Sequence, residues 1–170
     1  PGVLYAARDN IIFFRPNGDI TGAGPAPPAL TSTTLGAASV VTSIVMDPNS
    51  STTAFAAATN SVLMTTNPAT AITPGNPTGA GVWTNITGNL GSLTQQFTAV
   101  EAFRRADGTL ILVVGTNDGV YITVNPTEAN AANTVWTKVG RNLPNAVVTD
   151  LLFDQADQLL IASTLGRGVW

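Results

Sequence analysis

Residues 108–136 read GTLILVVGTNDGVYITVNPTEANAANTVW, and the fold class follows from this stretch. Residues 110–114 (LILVV) are apolar at every position, which suits a strand covered on both faces. Residues 120–124 (VYITV) are again β-branched or aromatic. Between the two runs stand Asn117, Asp118 and Gly119, residue types that tolerate positive φ in a tight turn, so the runs are expected to pair as a hairpin. After a polar loop at 125–133, residues 135–139 (VWTKV) supply a further strand. Upstream, residues 97–103 (FTAVEAF) supply another, ending in the turn at 105–108 (RADG).

The same order recurs along the chain. Residues 40–46 (VVTSIVM) run into Asp47, Pro48 and Asn49, and residues 54–58 and 62–66 face each other across 59–61 (TNS). After a Pro/Gly/Thr loop at 67–81 the chain returns at 82–86 (VWTNI). Residues 3–7 and 11–15 form an earlier hairpin, followed by a Gly/Pro-rich loop at 21–28 and a short strand at 29–35. Residues 147–153 and 159–163 open a last unit that runs to Trp170. Leu35, Leu90 and Leu143 stand 55 and 53 residues apart, and Trp83 and Trp136 again 53. A four-stranded unit of this length cannot cover both of its own faces and must stack on neighbours, which is the pattern of a β-propeller blade. The expected fold is therefore all-β: one partial propeller of four-stranded antiparallel blades, about three of them. A blade part lies at 1–35, blades at 40–90 and 97–143, and a last part at 147–170. The alternative is an ordinary β-sandwich.

The units VWTNITGNLGSLTQQFTAV and VWTKVGRNLPNAVVTDLLFD, with GTNDGVYIT and the terminal ASTLGRGVW, resemble the sialidase-type BNR or Asp-box propellers. That group includes exo-sialidases, xyloglucan-cleaving glycosidases and many bacterial surface proteins, so the resemblance implies a fold more than an activity. The family's turn motif places Ser or Thr, Asp and Gly shortly before the Trp. Here Thr65 and Asn67 precede Trp83, and Thr123 and Asn125 precede Trp136, with Asn in place of Asp and longer loops between. The family's blade order implies that residues 41–46, 97–103 and 148–153 are innermost strands and that Trp83 and Trp136 fall on outermost ones, filling the gap between blades.

Composition narrows the function classes. Charged residues make up 10% of the chain and the net charge is −3, which fits a rigid secreted or cell-surface protein and leaves no basic stripe for nucleic acid. There is no Cys and no His, so thiolate and imidazole chemistry and the commonest metal ligands are missing, and no metal or cofactor is expected. No apolar run reaches the roughly 18 residues that span a bilayer, so no membrane insertion is expected.

Sialidase chemistry needs an arginine cluster, a Tyr/Glu pair and an acid, and other glycosidases need two opposed carboxyls; no residue of this chain matches those positions by motif. Asp47, Asp107 and Asp154 each follow an inner strand and read as turn residues. Asp150, inside an inner strand with apolar neighbours, is a candidate acid of raised pKa, set against plain solvation. The hairpin turns and the loops entering the inner strands are expected on one face, carrying Arg8, Asp9, Asn60, Asn117, Asp118 and Arg167 with Gln95 and Gln96. Amides and carboxylates on rigid turns suit hydrogen-bonded recognition of a glycan or protein. The expectation is a non-catalytic extracellular or surface-associated module for binding or structural assembly. Its partners would be further blades, from its own longer chain or a second copy. The alternative is a fragment of a sialidase-like or xyloglucanase-like glycoside hydrolase.

Overall fold

The computed structural model describes residues 2–18, 31–35, 39–69, 80–140, 142–143 and 145–170. The loop readings at 21–28 and most of 67–81 lie outside them. The described residues hold fourteen strands in four antiparallel sheets of three, four, four and three. The first sheet is β1 (Gly2–Arg8), β2 (Ile11–Gly18) and β3 (Thr31–Thr34), and the second is β4 (Val41–Asp47), β5 (Ser50–Ala58), β6 (Ser61–Ala69) and β7 (Ala80–Asn85). The third is β8 (Phe97–Arg104), β9 (Leu110–Thr116), β10 (Gly119–Val124) and β11 (Thr137–Val139); the fourth is β12 (Val148–Asp154), β13 (Leu159–Thr164) and β14 (Gly168–Val169). Each sheet is built in chain order from neighbouring strands, so its pairing is local and antiparallel. Two short helical pieces interrupt the loops: α1 (Leu90–Leu93) and a 3-10 turn at Glu128–Asn133.

The sheets stack face to face, and strand β9 shows why they must. Every one of its residues is buried. Leu110, Leu112 and Val114 enter a core shared with Phe55, Val62, Met64 and Trp136, whereas Ile111 and Val113 enter another with Val148, Leu151 and Ala162. Alternate side chains thus go to the second and the fourth sheet, as an apolar run with strand period requires. A third core, with Ile12, Ala56 and Leu63, joins the first sheet to the second. The three leucines of the repeat occupy corresponding places. Leu35 packs on this third core, Leu90 is buried in the one that holds Trp136, and Leu143 packs on the one that holds Val148. On the fourth sheet one face packs inward through Leu151, Phe153, Leu160 and Ala162, with Phe153 stacked on Phe103 at a centroid distance of 3.7 Å. The other face presents Leu152 and Leu159, 56% and 55% exposed.

The first strands of the last three sheets, β4, β8 and β12, lie side by side and share one irregularity. Each carries a bulge at its start, between Val41 and Ser43, Phe97 and Ala99, and Val148 and Asp150. The extra residue is a threonine each time. Thr42 Oγ1 donates to Phe97 O (2.9 Å) and lies 3.1 Å from Ala57 O; Thr98 donates to Val148 O; Thr149 donates to Ser163 O at 3.2 Å. Two of the hydroxyls therefore tie one sheet to the next at the same point, which is the kind of reuse bulges permit by turning a side chain out of the ladder.

Both tryptophans fill the gap between their own sheet and the preceding one, but they are held differently. Trp136 lies just before β11 and is 1% exposed, with Nε1 donating to Ile86 O at 3.1 Å. Its main chain is clasped by Asn89, whose Oδ1 accepts from Trp136 N (2.7 Å) and whose Nδ2 donates to Trp136 O (3.2 Å). The strand read at 135–139 is accordingly shortened to β11, because the clasp takes Trp136 out of the ladder with β10. Trp83, within β7, packs partly buried on the core between the first two sheets.

The turn reading needs one correction. Thr116 pairs with Gly119, leaving Asn117 and Asp118 as a two-residue loop, yet of the three only Gly119 has positive φ, at 141°. Asn117 and Asp118 keep negative φ, so the two loop residues do not take the left-handed backbone of a type I′ turn. In the first hairpin it is Asp9 that takes the left-handed backbone, with φ 54°.

Gly88, at φ 48°, sits where an added Cβ would lie 1.9 Å from Thr134 O, so the seam between the second and third sheets closes only over a glycine. Gly108, at φ 84°, has open space around it. Gly88→Ala should cost roughly 2–4 kcal/mol from combined backbone and steric strain. Gly108→Ala should cost only roughly 1 kcal/mol. Urea midpoints of the two variants check this; equal costs would contradict the close approach.

Candidate functional site

The hairpin turns of all four sheets gather at one end of the stack because each is bonded to the segment that enters an inner strand. Thr59 N donates to Val40 O, Asn117 N to Gln96 O and Leu165 N to Val147 O, the same bond in three successive units. Between units, Val41 N donates to Asp9 O and Phe97 N to Thr59 O. Turn residues far apart in sequence are thereby fixed at neighbouring positions of a rigid end, the usual setting for binding groups.

The predicted residues fall there as follows. Arg8 and Asp9 are exposed and, among the described residues, their side chains pair with each other, at 3.5 Å. Asn60 is exposed on the β5–β6 turn, near Ser39 Oγ at 3.5 Å. Gln95 and Gln96 are exposed after α1, Gln96 with φ 61°. Arg167 lies on the β13–β14 turn, its carbonyl accepting from Trp170 Nε1 at 3.0 Å. Asp150 follows the bulge of β12, is exposed, and its Oδ1 accepts from Leu151 N at 2.9 Å. Of the two readings of Asp150, a carboxyl among apolar neighbours and a solvated one, its exposure fits the second.

The structure draws Asn60, Gln95, Asn117 and Asp118 into one neighbourhood through a residue that the sequence reading missed, Thr94. Its hydroxyl lies 2.7 Å from Asp118 Oδ1 and 2.9 Å from Asn117 Oδ1. Thr94 also lines, with Asn60, Gln95 and Phe97, a cavity of about 170 Å³. A lone threonine in a loop carries no sequence signal. Around Asp118 the set continues with Thr116 Oγ1 at 2.7 Å, Tyr121 OH at 3.3 Å and Lys138 Nζ at 3.4 Å. Burial works to raise the Asp118 pKa, but the hydrogen bonds of Thr116 and Thr94 and the Lys138 charge together hold it below the usual carboxylate range. Arg8, Asp9 and Arg167 remain outside this neighbourhood.

Asn60 also borders a second, larger groove of about 450 Å³ between the first two sheets, where Ser61, Trp83 and Asn85 form the wall. The sequence reading assigned Trp83 to packing; the structure gives it both a packed side and a wall of this groove.

Four further carboxyls lie on or just after the inner strands. Asp47 accepts from Asn49 N and is paired through both oxygens with Arg104 at 2.9 and 2.5 Å, a nearly buried tie between β4 and β8 at the far end of the stack. Asp107 and Asp154 likewise accept from the backbone N–H two residues on, so all three act as turn residues. Glu101, on β8, is the inner-strand carboxyl that burial lifts above its ordinary range, with a smaller upward push from the Asp150 charge. No residue motif marked it.

No family model and no curated protein matches this chain. Among solved structures it is similar to the extracellular domain of a hybrid two-component system from B. thetaiotaomicron, with a TM-score of 0.54 at 14% identity. The match covers 98% of this chain and 19% of that one, so the chain spans about a fifth of its neighbour's length. At that identity the likeness concerns the all-β fold alone. Among the described residues no helix is long and apolar enough to cross a membrane.

The two displaced carboxyls predict opposite pH effects. Asp118, with its folded pKa lowered, adds stability that is full above the ordinary value of 3.8 and is lost as pH falls through the folded value. Asp118→Asn should therefore be less stable than the parent at neutral pH and converge with it in acid. Glu101, raised above 4.5, loses stability as pH climbs through that value toward the folded one, so Glu101→Gln should be the more stable protein at neutral pH, with the gain vanishing in acid. Urea midpoints at about pH 3 and about pH 7 test both signs.

Proposed function

We propose that the four sheets are consecutive blades of a β-propeller of the sialidase-type BNR group, and that the chain is a non-catalytic, extracellular binding or structural module. The observation that carries the propeller reading is the repeated bulge threonine. Three inner strands side by side, two of them tied to the next sheet at the same atom, are what rotation of one unit about a common axis produces. The exposed Leu152 and Leu159 support a further blade on the fourth sheet, from a longer chain or a second copy. The extracellular neighbour and the low charge content support a surface location. The binding reading is supported by the polar turn end, where amides and hydroxyls on bonded turns line two cavities.

A second reading, a glycoside hydrolase fragment, is favoured by one observation: Glu101, with its raised pKa, feels the charge of Asp150 on the adjacent inner strand. Turnover of fluorogenic sialosides and β-glucans separates the two. The expected result is a rate at the buffer blank; turnover that Glu101→Gln or Asp150→Ala abolishes would establish the hydrolase instead.

The assembly claim has its own measurement. By light scattering, the 170-residue chain should self-associate, and the double substitution Leu152→Lys, Leu159→Lys should reduce that association. A monodisperse, cooperatively unfolding monomer of the parent chain would count against a further sheet on this face.

A further inference from the structure

The groove beside Trp83 has the chemistry of a sugar site, and we propose that it binds a neutral saccharide. The proposal rests on the reading of the chain as a binding module and names the site and ligand class within it.

Two residues at the same place in the repeat are held differently. Trp136 and Trp83 both fill the gap in front of their sheets, but Trp136 is sealed and its indole N–H is spent on Ile86 O. Trp83 is only partly buried, borders the groove, and its indole N–H has no protein acceptor among the described residues. Packing alone leaves that difference unexplained, since a ring used only as filler is best sealed, as Trp136 is.

Asn85 Oδ1 is taken by Thr87 N, but the Asn85 amide N–H pair has no protein partner among the described residues. The same holds for the Asn60 amide N–H pair, whose Oδ1 alone is approached by Ser39, and for the Ser61 hydroxyl, although Ser61 is a buried residue. Residues bearing an indole N–H, two amide groups and a hydroxyl thus line one groove, and those groups have no protein partner among the described residues. Groups of this kind, held on strand ends and a bonded turn, favour a ligand that supplies several hydroxyls at once.

None of the nine described residues of the wall is ionisable. An acidic sugar, a phosphate or a charged peptide would give up hydration with no counter-charge to replace it. A neutral sugar loses nothing of that sort: its hydroxyls meet the amides and its C–H face meets the indole. The volume of about 450 Å³ falls within the range of small-molecule sites, roughly 300–1,000 Å³. The other large cavities fit less well. The one at the 3-10 turn, about 470 Å³, has no aromatic side chain among its described lining residues, and those at Tyr5, about 350 Å³, and at Trp170, about 240 Å³, are lined almost entirely by apolar side chains.

The test titrates the chain carrying Trp170→Phe with neutral tetrasaccharides (cellotetraose, maltotetraose, mannotetraose and xylotetraose), with sialyllactose against lactose as the charged control. Calorimetry measures affinity, and indole fluorescence reports Trp83 because Trp136 is sealed. At least one neutral oligosaccharide should bind and shift the emission, and sialyllactose should bind no better than lactose. Trp83→Ala and the double variant Asn60→Ala, Asn85→Ala should each weaken binding by about tenfold or more. Circular dichroism checks that the variants fold, and if Trp83→Ala does not, the double variant decides. Absence of binding by all four sugars at about 10 mM would overturn the proposal. Binding undiminished in the double variant would also overturn it while leaving the binding-module reading intact, and glycoside turnover would overturn that reading independently.

Discussion

Strand β9 has no face that tolerates water, and the arrangement of the other sheets follows from that. Its seven residues are all buried, with odd and even side chains entering different cores. A single sheet cannot supply two dry faces, so the third sheet requires a neighbour on each side. At about 25 cal/mol per Å² of apolar surface, the burial of Leu112, Val113 and Val114 alone is worth several kcal/mol in transfer terms. The second sheet meets the same demand through β5, where Phe55 and Ala57 face one core and Ala56 the other. Runs of alanine in β5 keep the two sheets close where larger side chains would hold them apart.

Hydrophobic burial alone fixes neither the angle nor the register of stacked sheets, because it is not directional. The directional contacts are few and recur. The bulge threonines bond one inner strand to the next, the turn amides bond to the entering segments, and Asn89 clasps the main chain of Trp136. All involve backbone groups at strand ends, which would otherwise be left without partners where the sheets meet. The Asp47–Arg104 pair does the same work at the far end, and its two well-aligned bonds make it more than an incidental surface contact.

One end of the stack consequently carries rigid polar groups, while the strands between are largely apolar. Thr94 is the junction of that end: its single hydroxyl lies within hydrogen-bond distance of two turn side chains and also borders a cavity. Asp118 is held ionised by threonines and a lysine rather than left in open water. The groove at Trp83 belongs to the same end through Asn60, which borders both spaces.

By itself the sequence determined the strands, their antiparallel pairing within units, the period marked by Leu35, Leu90 and Leu143, and the turn duty of Asp47, Asp107 and Asp154. Strand periodicity, turn residues and repeat spacing are properties of short segments, and they survive in a string of letters. Only the tertiary structure decided that Thr94 reaches Asp118, that Arg104 pairs with Asp47 57 positions away, and that Glu101 is displaced while Asp150 is exposed. It alone separated Trp136, sealed and bonded, from Trp83, which borders a groove, although the two share a place in the repeat. The reason is physical: burial, hydrogen-bond partners and proton affinity depend on which atoms of other segments arrive beside a side chain. In this chain those atoms come from the next sheet, some fifty residues away in sequence.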